Sequence, residues 1–474
     1  MGQPVTGDDD SSLETVMVYA RRLTPVSRVA ATVTVIDQAR IETTLATDIR
    51  ELVRYEPGLS VRNDPFRFGL DTISVRGLGG NRVAVEVDGI PAAGGFAVGS
   101  YADSGRAYVD AAFVDRVEFL RGPASSLYGS DAIGGVVAMT TLTPERLLAQ
   151  GEGDYAARTD AGFDSASDGW RAAALAAGAI GGTQWLVGYS RREGHESDTA
   201  ADVTPNPSEY ANDSALMKVT GTVPGGPLTF TAEAGRIQQA TDVNAFLGVG
   251  RFLNTTALAG DDEMLRYRVS LGQALTGANA AFDSADWSAY WQGTETEQDT
   301  YEVRRAVPPR TPPVQLDRTF KFDESAFGVE FTAVKSLGSG SIVHDVVYGF
   351  EATRSELDEL RNGLQTDLAT GATTPTILGE TFPLRDLPLS TVIEVGAFVQ
   401  DEVQFDDARW TLVPALRVDY YELTPETDRI YREDNPATEP AGVDEVSFAP
   451  KLGATYRIND RLGVFLQYAH GFRS

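Results

Sequence analysis

Few residues of this sequence could carry out chemistry on a bound molecule. Cysteine is absent, so the chain has no thiol nucleophile, no thiolate metal ligand and no disulfide. The three histidines, His195, His344 and His470, are far apart and form no HExxH motif. GxSxG and P-loop motifs are also missing. GLGG at 77–80 lacks the spacing and the following helix of a nucleotide-binding loop, so we interpret it as a tight turn. The sequence therefore predicts no enzyme.

Aromatic side chains in two loop-like stretches are candidates for holding a flat ligand. The stretches 62–69 and 92–108 are rich in glycine and have no helical or strand-like periodicity. Their rings could stack on a flat or aromatic molecule, and anchoring of the loops is an equally good interpretation of each ring. The residues concerned are Phe66, Phe68, Phe96, Tyr101 and Tyr108.

A short alternating segment near the N terminus could bind a protein through its backbone. ETVMVYA at 14–20 follows a polar, acidic leader that we expect to be disordered. An alternating, β-branched segment of this kind can add a strand to the edge of a partner's sheet. It can equally form a strand on its own domain. The residues are Glu14, Thr15, Val16, Met17, Val18, Tyr19 and Ala20.

The composition excludes two classes of protein. The chain has 474 residues, and its 40 Lys and Arg against 68 Asp and Glu give a net charge of −28. Such a charge argues against nucleic-acid binding, which needs a basic surface. No stretch approaches the roughly 18 consecutive apolar residues of a membrane helix. If the chain lies in a membrane, it must therefore do so as a closed β-barrel.

The first part of the chain, to about residue 145, mixes helical and strand patterns. A helical stripe ends at Pro57-Gly58 and predicts one amphipathic helix. Strict alternation in RVAVEVDG at 82–89 predicts a strand that ends in a turn. Further strands are predicted through 114–119 and near Val136, which together indicate a compact α+β domain. The helical stripe consists of Leu45, Ile49, Leu52 and Val53.

The second part, from about 150 to 474, has period-two alternation and no convincing helix. In 265–271, for example, Leu265, Tyr267 and Val269 share one face, with Arg266 and Arg268 on the other. The segments are about ten residues or longer, which exceeds the usual strand of a soluble sandwich and suits a tilted membrane strand. Aromatic residues recur near segment ends, as an interfacial girdle requires. They are Trp170, Tyr189, Trp291, Tyr348, Trp410 and Tyr421.

The connections between these strands alternate in length, as in outer-membrane barrels with short periplasmic turns and longer extracellular loops. Tight connections lie near 224–227, 335–341, 406–408 and 458–460, and long ones near 193–212, 239–262, 298–318, 356–390 and 422–445. We count about thirteen strands, which is odd, whereas a closed bacterial barrel has an even number. We therefore expect a fragment or truncated product that forms no complete pore alone. No secretory signal is visible either, so we expect the start to be trimmed or misassigned.

Four motifs resemble those of one receptor family, in the right order. ETVMVYA at 14–20 resembles a TonB box. ISVRGLGGNRVAVEVDGI at 73–90 and RVEFLRGPASSLYGSDAIGGVV at 116–137 resemble the core of a plug domain. YAHGFRS at 468–474 resembles the start of the FRAP-type box of haem receptors. The chain thus resembles a TonB-dependent outer-membrane receptor, of the hemoglobin/transferrin/lactoferrin (haem) receptor branch, truncated at its C terminus.

The resemblance implies the fold and the location. The fold class is membrane β, with an α+β plug domain inside a partial antiparallel transmembrane β-barrel of the bacterial cell outer membrane. Residues 1–20 would be a flexible leader with the TonB box, 21–147 the plug domain, and 148–474 the transmembrane β-barrel. That last part would supply about thirteen of an expected 22 transmembrane β-strands.

The resemblance also implies a function, namely energy-coupled uptake of haem or haemoprotein iron. A ligand would bind between outer loops and plug, and TonB in the periplasm would capture the TonB box. Outer-membrane lipid and lipopolysaccharide would be further partners, with no nucleic acid. No cofactor or metal would be bound permanently, because the haem or ferric chelate is transported. A ferric-siderophore or cobalamin receptor is the alternative, and a truncated, transport-incompetent copy is a further one. A passive porin would need neither plug nor TonB box.

Two arginines of the plug match family positions that hold the plug in the barrel. Arg76 in VRG and Arg121 in LRGP are expected to pair with barrel glutamates, because a charge buried between plug and barrel needs a partner. The alternative is a solvated arginine at each position.

A haem ligand would need an axial donor, and haem iron takes His, Tyr, Met or Cys. His195 begins a long, outer connection and is the histidine we consider for haem or metal contact. Tyr101 or Tyr108 could replace it as an oxygen ligand. His344, near a tight turn, and His470, beside Tyr468, are expected to be structural or part of an interfacial belt.

Overall fold

A computed structural model gives the fold of most of the chain. None of the helices within its described ranges is long and apolar enough to cross a membrane. The structure describes residues 15–18, 21, 24–25, 29–46, 48–61, 73–95, 97–99, 102–103, 109–197, 206–307, 311–405, 409–459 and 462–473.

The first part forms a small α+β body, which we call the plug. Its central sheet has five strands in the order β3-β10-β11-β6-β7, and only β11 and β6 run parallel. The plug strands are β1 Thr15–Val16, β2 Thr24–Pro25, β3 Thr32–Asp37, β4 Leu59–Val61, β5 Ile73–Val75, β6 Val83–Val87, β7 Ile90–Pro91, β8 Ala97–Gly99, β9 Ala102–Asp103, β10 Val114–Arg121 and β11 Gly135–Thr141. The helices are α1 Gln38–Thr44, α2 Ile49–Val53, α3 Ser125–Tyr128 and α4 Pro144–Leu148, with one 3-10 turn at Ala111–Phe113.

The strand and the turn predicted from the alternation at 82–89 are confirmed. All five side chains of β6 are buried, because helices cover one face of the central sheet and the N-terminal segment covers part of the other. Asp88 and Gly89 form the predicted turn to β7, with φ of 53° and 82°. Asp and Gly are residues that tolerate this left-handed conformation, so the sequence dictates the turn directly.

The prediction of a single amphipathic helix before Pro57-Gly58 is wrong, since the structure has two short helices, α1 and α2, in this region. Leu45 adopts φ 54° directly after α1 and is 69% exposed, so it is no part of an apolar stripe. The left-handed residue ends α1, and its N–H bonds back to the carbonyls of Glu42 and Ile41. Asp48 then begins α2 by accepting the N–H of Glu51 at 2.8 Å.

The second part forms one large antiparallel sheet, which we call the barrel sheet. The elements of this part are β12 Tyr155–Asp164, β13 Gly169–Ile180, β14 Thr183–His195, β15 Ser208–Val223, β16 Gly226–Asp242, β17 Thr255–Thr276, β18 Ser284–Arg304, β19 Val314–Ser339, β20 Ile342–Asp367, β21 Thr373–Thr374, β22 Thr376–Ile377, β23 Glu380–Thr381, β24 Leu389–Phe405, β25 Trp410–Glu426, α5 Arg429–Asp434, β26 Val443–Asn459 and β27 Leu462–Ala469. Among the described residues, β22 and β23 pair with each other and lie outside the barrel sheet. Two 3-10 turns lie at Asn244–Phe246 and Gly250–Phe252. Thirteen of these strands follow one another in chain order, and β21 adds to β20 as a fourteenth. In the described residues β12 and β27 are the two ends of the sheet, and the count of thirteen long strands matches the prediction.

The two faces of the barrel sheet differ as the alternation predicts. Arg268 is almost fully buried against the plug, whereas Val269 and Leu271 on the other face are exposed. Trp170, Tyr189, Trp291 and Trp410 are likewise exposed apolar side chains, as an interfacial girdle needs. Tyr421 is an exception and lines an inner cavity, because it shares the plug-facing parity of Arg417 and Asp419 on β25. Its assignment to the girdle is therefore wrong.

The strands are longer, and the connections shorter, than predicted. β19 and β20 have 26 residues each, and the described connection after β16 spans only 243–254. The predicted alternation of short and long connections is nevertheless present. The long connections all lie at one end of the strands, which we call the outer end. The helix α5, capped by Asp428, corrects the expectation of no helix in this part. The predicted turns at 406–408 and at residue 460 lie outside the described residues.

Candidate functional site

The N-terminal segment is docked on the plug by hydrogen bonds to one carboxylate and by two buried valines. The backbone N–H groups of Met17 and Val18 both donate to Oε2 of Glu118 on β10, each at 2.8 Å. Val16 and Val18 are buried, while Met17 is exposed. Arg116 pairs with the same carboxylate at 2.5 Å. Of the other segment residues, Glu14, Tyr19 and Ala20 lie outside the described residues, and β1 pairs with β2 through Thr15 and Val16.

Arg21 follows this segment and joins the plug to the barrel sheet. Its guanidinium lies 3.2 Å from Glu86 of the plug and 3.3 Å and 3.9 Å from Glu351 and Glu330 of the barrel sheet. The same group stacks over the rings of Tyr128 and Phe398, 4.6 Å and 5.4 Å from their centres. Burial alone would lower the pKa of Arg21, but the carboxylates raise it above its usual value. Burial also raises the pKa of Glu86 to about 7, although Arg21 opposes that rise.

Asp88 forms a second link between plug and barrel sheet. In this link the plug supplies the anion and the barrel sheet supplies the cations, the reverse of the arrangement around Arg21. It lies 3.1 Å from Lys218 on β15 and 3.2 Å from Arg268 on β17, and Arg268 also pairs with Glu233 at 2.8 Å. Thr141 donates its N–H and its hydroxyl to the Asp88 carboxylate at 2.8 and 2.7 Å. Burial by itself would raise the pKa of Asp88, but Lys218, Arg268 and the Thr141 hydrogen bonds lower it to about 2.

Arg121 and Arg76, which we predicted to hold the plug, do not reach barrel glutamates in the described contacts. Arg121 pairs with Glu56 at 3.3 Å and donates to Thr34 at 2.7 Å, both within the plug. Arg76 is exposed, with φ 51°, and its N–H bonds to the Gly58 carbonyl at 2.7 Å. Arg21 and Asp88 instead make ion pairs across the boundary, and sequence reasoning missed both. Two further plug acids also pair with the barrel sheet, Asp110 with Arg192 and Glu42 with Arg158, each at 3.3 Å. The Asp88-Gly89 turn was identified, but no local signal marks its charge as buried.

A cavity of about 380 Å³ separates the plug from the barrel sheet above Arg21. The carboxylates of Glu86, Glu330 and Glu351, which surround Arg21, also line this cavity. Further lining residues are Glu324, Glu394, Asp419, Tyr128, Tyr290 and Tyr421. In the described part of the chain, no group of three or more histidine or acidic side chains is placed to hold a metal ion.

Of the residues we considered for ligand contact, the structure describes only His195. Phe66, Phe68, Phe96, Tyr101 and Tyr108 lie outside the described residues. His195 is the last residue of β14 and pairs across the sheet with Glu209, on the face that points away from the plug. It lines an acidic groove of about 670 Å³ on that outward face.

The other two histidines have ordinary partners. Nδ1 of His344 lies 2.7 Å from Asp401 on the neighbouring strand, and Nδ1 of His470 lies 3.2 Å from the Phe448 carbonyl. Both contacts join neighbouring strands of the barrel sheet or its end, as expected of structural residues.

Comparison with known proteins gives two family matches and several sequence relatives. Residues 25–136 match the TonB-dependent Receptor Plug Domain, and residues 218–474, more than half of the chain, match the TonB dependent receptor-like beta-barrel. The chain is similar to the vitamin B12 transporter BtuB of Vibrio vulnificus, with 34% identity over 136 residues. That match covers 28% of this chain and 21% of the transporter.

Solved structures show the same fold. The hemophore receptor HasR of Serratia marcescens, in complex with its hemophore and heme, has a TM-score of 0.67 at 15% identity over 95% of this chain. The siderophore receptor PiuA of Acinetobacter baumannii has a TM-score of 0.66 at 14% identity over 94% of this chain. The chain spans 64% and 65% of those two proteins, which is under two thirds of their length. By the match of its barrel sheet and its plug, the chain belongs to the family of TonB-dependent receptors.

Proposed function

We propose that this protein is an outer-membrane receptor for the TonB-coupled uptake of a metal chelate, with haem or haemoprotein iron as the cargo. The observation that carries the proposal is the N-terminal segment, which is docked on a plug that packs against the barrel sheet. A segment with two backbone donors on one carboxylate can be exchanged for a partner's sheet edge. The family consists of transporters and receptors, so no catalytic site is proposed.

Haem is supported by the motif at 468–474, which resembles the start of a box found in haem receptors, and by the likeness in fold to a hemophore receptor. A ferric-siderophore or cobalamin cargo is the second candidate. The likeness to a siderophore receptor and the 34% identity to a vitamin B12 transporter favour it. The lining of the inner cavity also favours this second candidate. Its carboxylates repel the negatively charged propionates of haem but do not repel a neutral chelate.

Capture by TonB is tested with single cysteines, which the cysteine-free sequence allows without background. Met17→Cys is placed in the segment, and Glu152→Cys, on an exposed residue beyond the plug helices, is the matched control. Cross-linking to a cysteine-bearing TonB fragment is expected for Met17→Cys and not for Glu152→Cys. Val16→Pro is expected to abolish it, since proline cannot donate to a sheet. Equal cross-linking of both cysteines would contradict the proposal.

The cargo is tested by titrating the purified protein with haemin, a ferric siderophore and cyanocobalamin in parallel. A saturable Soret shift with haemin, and no saturable change with the other two, supports haem. No Soret shift, together with saturable binding of either comparator, transfers the proposal to the second candidate. The same detergent solution without the receptor controls for partition of haemin into micelles.

A further inference from the structure

A second cavity, of about 350 Å³, lies between the plug and strands β12 to β14 of the barrel sheet. On the plug it is lined by residues of α1 and of the 3-10 turn at Ala111–Phe113. It shares no lining residue with the acidic inner cavity. Its volume is at the lower end of the roughly 300 to 1,000 Å³ that is usual for small-molecule sites, so it suits a small solute.

Three arginines line this cavity from three neighbouring strands. Arg158 lies on β12, Arg171 on β13 and Arg192 on β14, and their side chains are 17% to 21% exposed. Arg171 and Arg192 are direct cross-strand partners. Like charges directly opposite each other are destabilising, so an anion between the two guanidiniums would be favourable.

Each of these arginines has one acidic partner, which balances its charge without using all its donors. The pairs are Arg158 Nη1 with Glu42 at 3.3 Å, Arg171 Nε with Asp160 at 3.0 Å and Arg192 Nε with Asp110 at 3.3 Å. A guanidinium carries five N–H donors, so one carboxylate does not saturate it. Binding of an anion here therefore depends on hydrogen bonds rather than on a large excess of positive charge.

Arg171 is held in a fixed position by its neighbours. Its Nη1 donates to the carbonyls of Leu45 and Ala46, just after α1, at 3.2 and 3.5 Å. Its side chain lies across Gly162 of β12, where an added Cβ would come within 2.9 Å of Nε. The described contacts of Arg171 use Nε and Nη1, and Nη2 takes part in none of them. Nη2 is thus a donor on a guanidinium that is already oriented.

Two buried polar groups in the lining have no hydrogen-bond partner among the described residues. They are the hydroxyl of Ser190 on β14, a residue that is 2% exposed, and Nε2 of Gln38 on α1, which is 6% exposed. The amide oxygen of Gln38 accepts from Gln150 at 3.1 Å, so the amino group is directed away from that contact. A buried donor without an acceptor is costly, and both groups therefore favour a ligand rich in acceptors.

We propose that this cavity binds a small oxoanion, either phosphate or a small polycarboxylate, through Arg171, Ser190 and Gln38. All three supply N–H or O–H donors, and contacts between a guanidinium and an oxoanion are among the strongest hydrogen bonds in proteins. Because Gln38 belongs to the plug and the other two to the barrel sheet, the bound anion joins the two parts.

The anion comes from solution rather than from a lipid headgroup. Arg171 lies on the face of β13 that points to the plug, opposite the exposed Trp170. The acids beside the arginines compete with the ligand, so we expect a Kd of about 1 mM. The site is separate from any site for the transported cargo, and the proposal does not depend on the identity of that cargo.

The proposal is tested by calorimetric titration of the full chain in detergent with sodium phosphate and, separately, with sodium citrate. Ionic strength is held constant with sodium chloride. Saturable binding of at least one anion is expected, together with a rise in the unfolding temperature of the plug, because a ligand that binds only the folded state stabilises it. The tighter of the two anions identifies the class of ligand. Absence of saturable binding with both would overturn the proposal.

Two variants assign the binding to this cavity. Ser190→Ala removes a hydroxyl without a described partner, so it is expected to fold as stably as wild type and to bind the anion about tenfold more weakly. Gln38→Glu keeps an acceptor for Gln150 and replaces the donor by a negative charge, so it is expected to abolish binding. Wild-type affinity in both variants would refute the site.

Arg236→Gln is the matched control, since Arg236 is 47% exposed on the outward face and pairs with Glu263. Its affinity for the anion is expected to equal that of wild type, and a loss as large as in Ser190→Ala would show a general effect of charge and count against the proposal. Arg171→Gln is expected to abolish binding. If it does not fold, because Nη1 no longer holds the backbone after α1, Ser190→Ala and Gln38→Glu decide.

Discussion

The carboxylate of Glu118 accepts the backbone N–H of Val18 at 2.8 Å, although 100 residues separate the two. The same oxygen accepts the N–H of Met17. Since a β-strand offers its partner these very N–H groups, Glu118 competes with any protein that binds the segment by strand addition.

Glu118→Gln is expected to loosen the N-terminal segment. Each hydrogen bond to a charged group contributes about 1.5 kcal/mol or more, so the variant should bind a TonB fragment roughly tenfold more tightly. A nitroxide on Met17→Cys measures the mobility, and titration with the fragment measures the affinity. Glu152→Gln, an exposed acid away from the segment, is the control. A nitroxide spectrum unchanged from wild type would show that Glu118 does not hold the segment.

Asp88→Asn is expected to weaken the hold of the barrel sheet on the plug. Asparagine tolerates the left-handed φ of 53°, so the turn survives and only the charge is lost. Lys218 and Arg268 then lose an anion in a buried site, which costs about 2 to 5 kcal/mol. Thermal unfolding of the plug, followed by proteolysis of the detergent-solubilised protein, should occur at a lower temperature. Asp154→Asn, on an exposed acid before β12, controls for the loss of one negative charge.

The ion pairs of Asp88 with Lys218 and Arg268 predict that the stability of the plug depends on pH. The pKa of Asp88 falls from its ordinary 3.8 to about 2 in the folded protein, which corresponds to about 2 kcal/mol of stability. Because the folded value is the lower one, this contribution is complete above pH about 4 and disappears as the pH falls towards 2. Stability of the wild-type plug should therefore drop between pH 4 and pH 2 more steeply than that of Asp88→Asn. If stability fell equally with pH in the wild-type protein and in Asp88→Asn, Asp88 would not be the cause of the pH dependence.

Gly349→Ala is expected to destabilise the barrel sheet. An added Cβ would overlap the main-chain carbonyl of Phe331 on the neighbouring strand and lie 2.8 Å from the Phe398 ring. The carbonyl cannot move without breaking the ladder, so we expect a loss of about 1 to 3 kcal/mol. Gly221→Ala is the control, because its Cβ would meet only the Thr183 hydroxyl at 3.9 Å. The measurement is the temperature at which the folded band disappears on a gel, and equal temperatures for both variants would refute the expectation.

His195→Ala is expected to leave haem binding, where it occurs, unchanged within about twofold. The side chain lies on the face of the barrel sheet opposite the plug, so we expect it to be outside a site between the plug and the barrel sheet. A Soret titration of His195→Ala beside His344→Ala makes the comparison. Selective loss of the Soret shift in His195→Ala would place the ligand on the outward groove instead.

Local patterns in the sequence were sufficient for most of the fold. Strict alternation in 83–87 and 265–271 has a single structural solution, and Asp88-Gly89 is a turn by residue type alone. The outer ends of the strands were not predictable, because the residues of TTALAGDD at 255–262, for example, show no alternation of polar and apolar side chains. In that region the neighbouring strand, rather than the local residues, extends the ladder.

The site was less accessible to sequence reasoning because its charges pair over long distances. Arg121 has a family motif, yet its partner Glu56 lies in its own domain. Arg21 carries no motif, yet it meets three carboxylates that are 65 to 330 positions away. Only the folded chain decides which of the 40 basic residues reaches which acid.

The opposite polarity of the Asp88 and Arg21 links has a consequence for assembly. If the plug were turned so that Asp88 met Glu330 and Glu351, and Arg21 met Lys218 and Arg268, both meetings would be repulsive. Insertion of the plug in that wrong orientation is thus opposed at both links, so the charges favour a single orientation of the plug relative to the barrel sheet.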